Sequence, residues 1–273
     1  MSGRLTQRCQ RGPGEKRPSL AALAGELADA SRLRTPVPPL ASRFPGLALE
    51  DAYRIQRLNV ARRVSAGGRV VGHKIGLTSL AMQQQMGIHE PDSGVVLDDM
   101  ISPSGSHLSM ADFMAPRIET EIAFRIGRDL NAPTDLRTVR SSVAEVFLAF
   151  EVLDTCFTDW NITLVDSIAD NAACARVITG TPVPASDIAD VSAERITVSV
   201  DGKTAAIGEG RDILGDPFKA LMWLTYRLPV LKTTLHAGDI VLAGSVHASI
   251  PLTADMDIRA TSTRLPAIRT HAI

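Results

Sequence analysis

The chain has 273 residues, 45% of them hydrophobic, with 29 basic and 30 acidic side chains. That balance speaks against a protein that relies on a basic field to hold nucleic acid or an anionic membrane surface. No apolar run approaches a membrane span, and Cys9, Cys156 and Cys174 are too few and too scattered for a disulfide framework or a zinc site, which fits free thiols in a reducing, cytoplasmic setting.

The first residues hold Arg4, Arg8, Arg11, Lys16 and Arg17 against one acid, Glu15, and lack the apolar stretch of a secretory signal, so residues 1–18 are expected to be a disordered basic tail. Ser19 can cap a helix running to about Arg32, with Leu20, Leu23, Ala24 and Leu27 forming its apolar stripe. Thr35-Pro-Val-Pro-Pro39 breaks it into an extended linker. A second helix is expected over Leu49 to Ser65: Glu50 and Asp51 suit its first turn, Arg62 and Arg63 its last, and Gly67-Gly68 stops it.

From Arg69 the texture changes to short strands and turns. Val70, Val71 and Ile75 suggest a strand around Gly72-His-Lys-Ile-Gly76, and Ser79 can cap a short helix to Met86 that Gly87 ends. Ile88-His-Glu-Pro-Asp-Ser-Gly94 reads as a polar loop, the kind of segment that carries function. In Arg117–Ile126 the apolar or neutral residues Ile118, Thr120, Ile122, Phe124 and Ile126 alternate with Glu119, Glu121, Ala123 and Arg125, the period of a half-buried strand. Residues two apart on a strand share a face, so Glu119 and Glu121 point the same way.

Val146-Phe-Leu-Ala-Phe-Glu-Val-Leu153 is apolar on both faces, as in a covered strand, yet carries Glu151 in its middle with no lysine or arginine in the run. Buried there, that carboxylate needs a partner. If the two strands are neighbours, three carboxylates converge and repel, and a hard divalent cation with oxygen ligands removes the repulsion. Glu119, Glu121 and Glu151 therefore read as a metal site. A solvated strand face would also accommodate the first two, and an arginine or backbone donors could satisfy the third.

Further on, Asp154 to Gly180 is rich in Asp, Asn and Ala. Ile196–Val200 and Lys203–Ile207 flank Asp201-Gly202, a type I′ hairpin turn. Asp216-Pro217 opens a helix with Leu221, Leu224 and Leu228 on one face, and Gly238–Ser245 reads as a strand ending at a loop. Strands are expected to dominate after residue 69, with helices at the front and near residue 220. No repeat and no glycine-rich phosphate loop is present.

Lys74 with Gly76-Leu-Thr-Ser79, Glu90-Pro-Asp92, Glu119-x-Glu121, Glu151, Asp159-Trp160, Ala169-Asp-Asn-Ala172, Trp223-Leu224 and Gly238-Asp-Ile-Val-Leu-x-Gly-Ser245 stand in one order along the chain. Together they resemble the fumarylacetoacetate hydrolase superfamily, in its branch of 2-keto-4-pentenoate hydratases and 4-oxalocrotonate decarboxylases. The resemblance implies an α+β fold, a mixed β-roll or sandwich with a helical N-terminal region. Residues 19–273 would then form a single catalytic domain, with a helical subregion over 19–68 and a β-rich metal-binding core over 69–273. It also implies Mg²⁺ or Mn²⁺ held by Glu119, Glu121 and Glu151.

The chain departs from that pattern at His73, at Thr155-Cys156, at Ala173-Cys174 where the branch often has serines, and at Ala254-Asp255 and Arg264-Leu-Pro266.

The implied reaction is hydration of a 2-hydroxy-2,4-dienoate to a 4-hydroxy-2-oxo acid in aromatic-compound catabolism. The substrate would chelate the ion through its carboxylate and C2 oxygens. Lys74 is the candidate cation beside the substrate, unless it is a solvated loop lysine. Asp92 or Lys74 would move protons, although Asp92 could equally be an Asx-turn residue after Pro91. Leu77 and Ser245 are candidate substrate contacts, and His73, His89 and His247 lie beside candidate loops. The alternatives are decarboxylation of a 2-oxo-3-enedioate, C–C hydrolysis of an acylpyruvate, or a non-catalytic metal-binding scaffold. The expected partners are a small 2-oxo or 2-hydroxydienoate acid, further copies of the chain in a homo-oligomer, and a related pathway enzyme.

Overall fold

The computed structural model describes residues 18–78 and 90–273. The expected N-terminal tail lies almost wholly outside them, and the expected helix from Ser79 to Met86, with His89, lies entirely outside.

Helix α1 (Leu20–Leu33) begins as its sequence dictates: Ala22 N–H donates to Ser19 Oγ at 3.1 Å, and Leu23, Ala24 and Leu27 are buried. A four-residue turn, α2 (Leu40–Arg43), follows Pro39. It is too short to show a period, and a tertiary bond holds it: Ala41 N–H donates to Asp166 Oδ1 at 2.9 Å. Helix α3 (Leu49–Ser65) keeps its expected bounds and ends before Gly67, at φ 105°. Its buried Gln56 side chain donates to the carbonyls of Ser93 at 2.9 Å and Ile168 at 3.1 Å, which fixes the helical front against the sheet.

The strands and remaining helices follow in chain order. The front half holds β1 (Val70–Gly76), β2 (Asp92–Leu97), β3 (Ile101–Pro103), β4 (His107–Leu108), β5 (Arg117–Ile126), α4 (Leu136–Ser142) and β6 (Val143–Leu153). Then come α5 (Leu164–Ala169), β7 (Cys174–Thr179), β8 (Val183–Pro184), β9 (Arg195–Val200) and β10 (Lys203–Glu209). The chain ends with α6 (Pro217–Leu231), β11 (Ile240–Ser245), β12 (Ile250–Pro251), β13 (Asp257–Ser262) and β14 (Ile268–Ala272). One sheet of nine strands runs β2-β1-β11-β5-β6-β7-β3, with β12 on β5 and β8 on β6; a second of five runs β10-β9-β13-β14-β4.

The large sheet curls, because Val96 of β2 and Val177 of β7 share one apolar cluster with Ala123, Phe147, Ala149, Ile240 and Leu242. Its other face packs on the main core, which includes α1, α3 and α6. This is the α+β, curled mixed-sheet architecture with a helical front that the resemblance implies. No helix among the described residues is long and apolar enough to cross a membrane.

Three expectations need correction. Residues 92–94 are not loop but the start of β2. Helices α4 and α5 stand where strands were expected to dominate; Asp135 and Thr163 cap them, accepting from Thr138 N–H at 2.7 Å and Asp166 N–H at 3.4 Å. Strand β5 is not half-buried: Glu121 and Ala123 are as buried as Ile122 and Phe124, because the curl of the sheet covers the face that alternation alone would give to water.

Candidate metal centre

The register of β5 against β6 sets Glu119 directly opposite Glu151 and Glu121 opposite Ala149. Residues paired in this way share a sheet face, so all three glutamates point inside the curl. One carboxylate oxygen from each lies within 4.8 Å of the others. Glu121 and Glu151 are fully buried and Glu119 is half-buried.

Gly244 N–H donates to Glu121 Oε2 at 2.6 Å. This bond exists because β11 bulges between Leu242 and Ser245, where Gly244 adopts φ 117°. Glu121 Oε1 and both oxygens of Glu151 have no hydrogen-bond partner among the described residues. Orphaned buried carboxylate oxygens are costly, and a dication with oxygen preference satisfies all of them. The donor set therefore fits Mg²⁺ or Mn²⁺.

Strand β1 lies two strands from β5, and its Lys74 faces the same interior. Lys74 is 4% exposed, with Nζ 3.5 Å from Glu151 Oε1, so it is a buried counter-charge and not a solvated loop residue. Burial works against its charge, but Glu151, Asp92 and the surrounding acids outweigh that and lift its pKa above the usual lysine value.

Asp92, on β2 opposite Gly76, is 1% exposed and accepts from Ser167 Oγ at 2.8 Å. It is a strand residue bonded across the fold, which overturns the Asx-turn reading. A Cβ on Gly76 would stand 2.2 Å from Asp92 Oδ1 and 3.0 Å from Lys74 Nζ, so the glycine makes room for this pair.

Burial raises Glu119 to about 8, with Glu151 adding repulsion and Lys74 drawing it back. Glu121 is raised well above its ordinary value, by burial first and Glu151 second. Asp92 is raised by burial, against the pull of Lys74 and Ser167. The buried Cys174 thiol is also pushed up, by burial and then by Glu151.

The other candidates are Leu77, Ser245 and His73. Leu77 follows β1 in a left-handed conformation, φ 57°, half-buried. Ser245 Oγ donates to the His247 carbonyl at 2.6 Å and so closes the end of β11. His73 points to the face of β1 opposite Lys74, where burial lowers its imidazole to about 4 and leaves it a neutral packing group.

Two contributors escaped sequence reading. Ser167 supplies the bond to Asp92. Asn171, inside the quoted Ala-Asp-Asn-Ala motif, bonds both backbone groups of Val95, accepting its N–H at 2.8 Å and donating to its carbonyl at 2.9 Å. Chemically, the cluster can hold a dication and an anionic chelator, with the Asp92 carboxyl and the Lys74 ammonium beside them.

Residues 71–271 match the fumarylacetoacetate (FAA) hydrolase C-terminal family. The chain is 38% identical over 226 residues to 2-keto-4-pentenoate hydratase of Paraburkholderia xenovorans, covering 82% of this chain and 83% of that one. It is 33% identical over 231 residues to 2-hydroxyhexa-2,4-dienoate hydratase of Comamonas testosteroni, covering 84% and 88%. Among solved structures it is similar to 4-oxalocrotonate decarboxylase from Pseudomonas putida G7 complexed with magnesium and adipate, at a TM-score of 0.90 and 26% identity, covering 93% of this chain and 97% of that one.

Proposed function

From the premise that the chain belongs to the fumarylacetoacetate hydrolase family, we propose how its residues run a divalent-metal-dependent hydratase. The enzyme is a lyase that adds water to a 2-hydroxy-2,4-dienoate and yields a 4-hydroxy-2-oxo acid. The observation that carries the assignment of residues is the convergence of Glu119, Glu121 and Glu151 with buried oxygens lacking partners, Lys74 alongside.

In this reading the three glutamates would hold Mg²⁺ or Mn²⁺, with Gly244 N–H fixing the rotamer of Glu121. When bound, such an ion would supply Lewis-acid stabilisation of the negative charge that develops on the substrate. Lys74 stays an ammonium and offsets the negative charge that the substrate adds, so it orients and donates and does not act as a base. Asp92, whose burial favours its protonated form, delivers a proton to C5 while the 2-hydroxyl releases its own proton to solvent, which gives an α,β-unsaturated 2-oxo acid. Water then adds at C4 and gives a proton to the Asp92 carboxylate, restoring the acid, and C3 takes up the proton that the 2-hydroxyl released. Ser167 holds the Asp92 carboxyl toward Lys74. Leu77 and Ser245 border the substrate by their positions at the ends of β1 and β11.

We also place the protein in the cytoplasm as a homo-oligomer. Tyr226 and Val230, one turn apart on α6, are 56% and 48% exposed and offer an apolar contact for a second copy. Light scattering on the purified protein tests that.

Decarboxylation is the second reading, favoured by the likeness to the decarboxylase structure, although identity to the hydratases is higher. Purified protein with Mg²⁺ or Mn²⁺ is offered 2-hydroxypenta-2,4-dienoate and 4-oxalocrotonate. Loss of diene absorbance from the first supports hydration. Carbon dioxide from the second without hydration of the first makes it a decarboxylase, and bound metal with neither turnover makes it a scaffold.

A further inference from the structure

Thr120 lies on β5 between two of the proposed ligands, and its backbone N–H and carbonyl point toward β11. At that point the ladder fails. Strand β11 pairs regularly with β5 from Ile240 to Leu242, bulges, and touches it once more at Ser245 opposite Glu121. Pairing resumes only with β12, where Ile250 meets Ile118. In the gap, Val246 N–H donates to the Thr120 carbonyl at 3.1 Å, but among the described residues no backbone carbonyl takes the Thr120 N–H. A side chain takes it instead: Thr120 N–H donates to His247 Nε2 at 3.1 Å. The Thr120 hydroxyl meets the same nitrogen at 2.9 Å.

Because Nε2 accepts from a backbone N–H, it carries the lone pair and not the proton. The proton sits on Nδ1, 2.7 Å from the Ala248 carbonyl, to which it donates. Ser245 Oγ, bonded to the His247 carbonyl, fixes the loop that presents the ring.

We propose that His247 is a positioning residue for the metal centre: its neutral ring replaces the missing strand partner of Thr120 and so sets the spacing and direction of Glu119 and Glu121. The inference rests on the reading of Glu119, Glu121 and Glu151 as ligands. Outer groups that orient ligands govern metal affinity by about 10- to 100-fold.

The test uses the full chain and Mn²⁺, titrated by electron paramagnetic resonance of the free ion. His247→Leu fills the space without an acceptor and weakens Mn²⁺ binding by about 10-fold or more. His247→Gln puts an amide oxygen near the place of Nε2 and restores affinity to within about 3-fold of the parent, within the expected range of such partners. Nitrogen chemical shifts of the His247 ring in the unaltered protein report the proton on Nδ1. Unchanged Mn²⁺ affinity in His247→Leu, no recovery in His247→Gln, or a proton on Nε2 would each overturn the assignment. If His247→Leu does not fold, the ring shifts and the glutamine variant still decide. Failure of the ligand reading looks different: the unaltered protein itself binds no Mn²⁺.

Discussion

Glu119 and Glu151 face each other across the β5–β6 ladder, at a position where like charges directly opposite destabilise a sheet. The fold tolerates the pair because Lys74 stands 3.5 Å from Glu151, and the proposed dication would neutralise it further. Replacing a glutamate by glutamine separates its two roles. Glu151→Gln is expected to abolish metal-dependent turnover and, because Lys74 loses its buried counter-charge, to lower the unfolding midpoint of the metal-free protein, by about 2–4 °C for each kcal/mol of ion pairing lost. Calorimetry with and without Mg²⁺ measures both. Full activity in the variant removes Glu151 from the centre, and a metal-free midpoint that rises removes Lys74 as its partner.

Metal binding should carry a pH signature set by Glu119. Its folded-state pKa, about 8 without metal, is raised above the ordinary carboxyl value by burial and by Glu151. The folded metal-free protein therefore binds more protons than the unfolded chain between those values, so its stability falls as pH rises through about 8. A metal ion needs the carboxylate, so binding expels that proton below about 8. Apparent Mg²⁺ affinity should climb as pH rises from 6 through about 8, with the raised Glu121 adding to the climb. Isothermal titration in two buffers of different ionisation heat counts the released protons at pH 6.5. No proton release there contradicts the raised carboxyl.

Lys74 and Asp92 should affect turnover and not metal capture. Lys74→Met removes the ammonium beside Glu151 and ends its competition with the dication, so Mn²⁺ affinity holds or rises. Asp92→Asn keeps the shape and the Ser167 contact but cannot deliver a proton. Its rate is expected to fall by about 10²- to 10⁴-fold, the usual contribution of a positioned acid or base. Ser167→Ala should cost far less, since it only orients the carboxyl. Steady-state kinetics paired with Mn²⁺ titration reads the split; loss of metal binding in Asp92→Asn would make that residue a ligand and not a proton carrier.

Much of this centre is legible in the residues themselves. The alternation around Glu119 and Glu121 and the isolated acid in the apolar run around Glu151 each report backbone geometry, and adjacent strands turn them into one cluster. The hairpin at Asp201-Gly202 is equally plain, with φ 51° and 75° at the two turn residues. Asp92 was obscured because Pro91, Ser93 and Gly94 are turn formers. Gly94 is in a strand for a tertiary reason: a Cβ there would stand 2.4 Å from the Asn171 carbonyl. Burial of β5 on both faces was equally hidden, since a polar stripe looks the same whether it meets water or lines a metal pocket. His247 gave no pattern at all, because the broken ladder it repairs is visible only once β11 bulges.

Asn171 closes the outer edge of the sheet, and its loss should unfasten the wall beside Lys74. Strand β2 is an edge, and the Asn171 amide satisfies both the N–H and the carbonyl of Val95 as a neighbouring strand would. To reach there the chain takes three left-handed residues in a row, Asn171, Ala172 and Ala173, at φ 55°, 54° and 58°. Asparagine tolerates that conformation better than alanine, and each such alanine costs about 1–3 kcal/mol that the surrounding bonds must offset. Asn171→Ala removes the two bonds that do so and leaves Val95 partly unsatisfied, at a further cost of about 1–3 kcal/mol. Asn171→Asp keeps the acceptor for the Val95 N–H but sets a carboxylate against its carbonyl, so it should rescue little. Urea unfolding of both variants measures the loss, and hydrogen exchange at Val95 localises it. Midpoints and Val95 protection unchanged from the parent would mean that the edge is held by something other than this side chain.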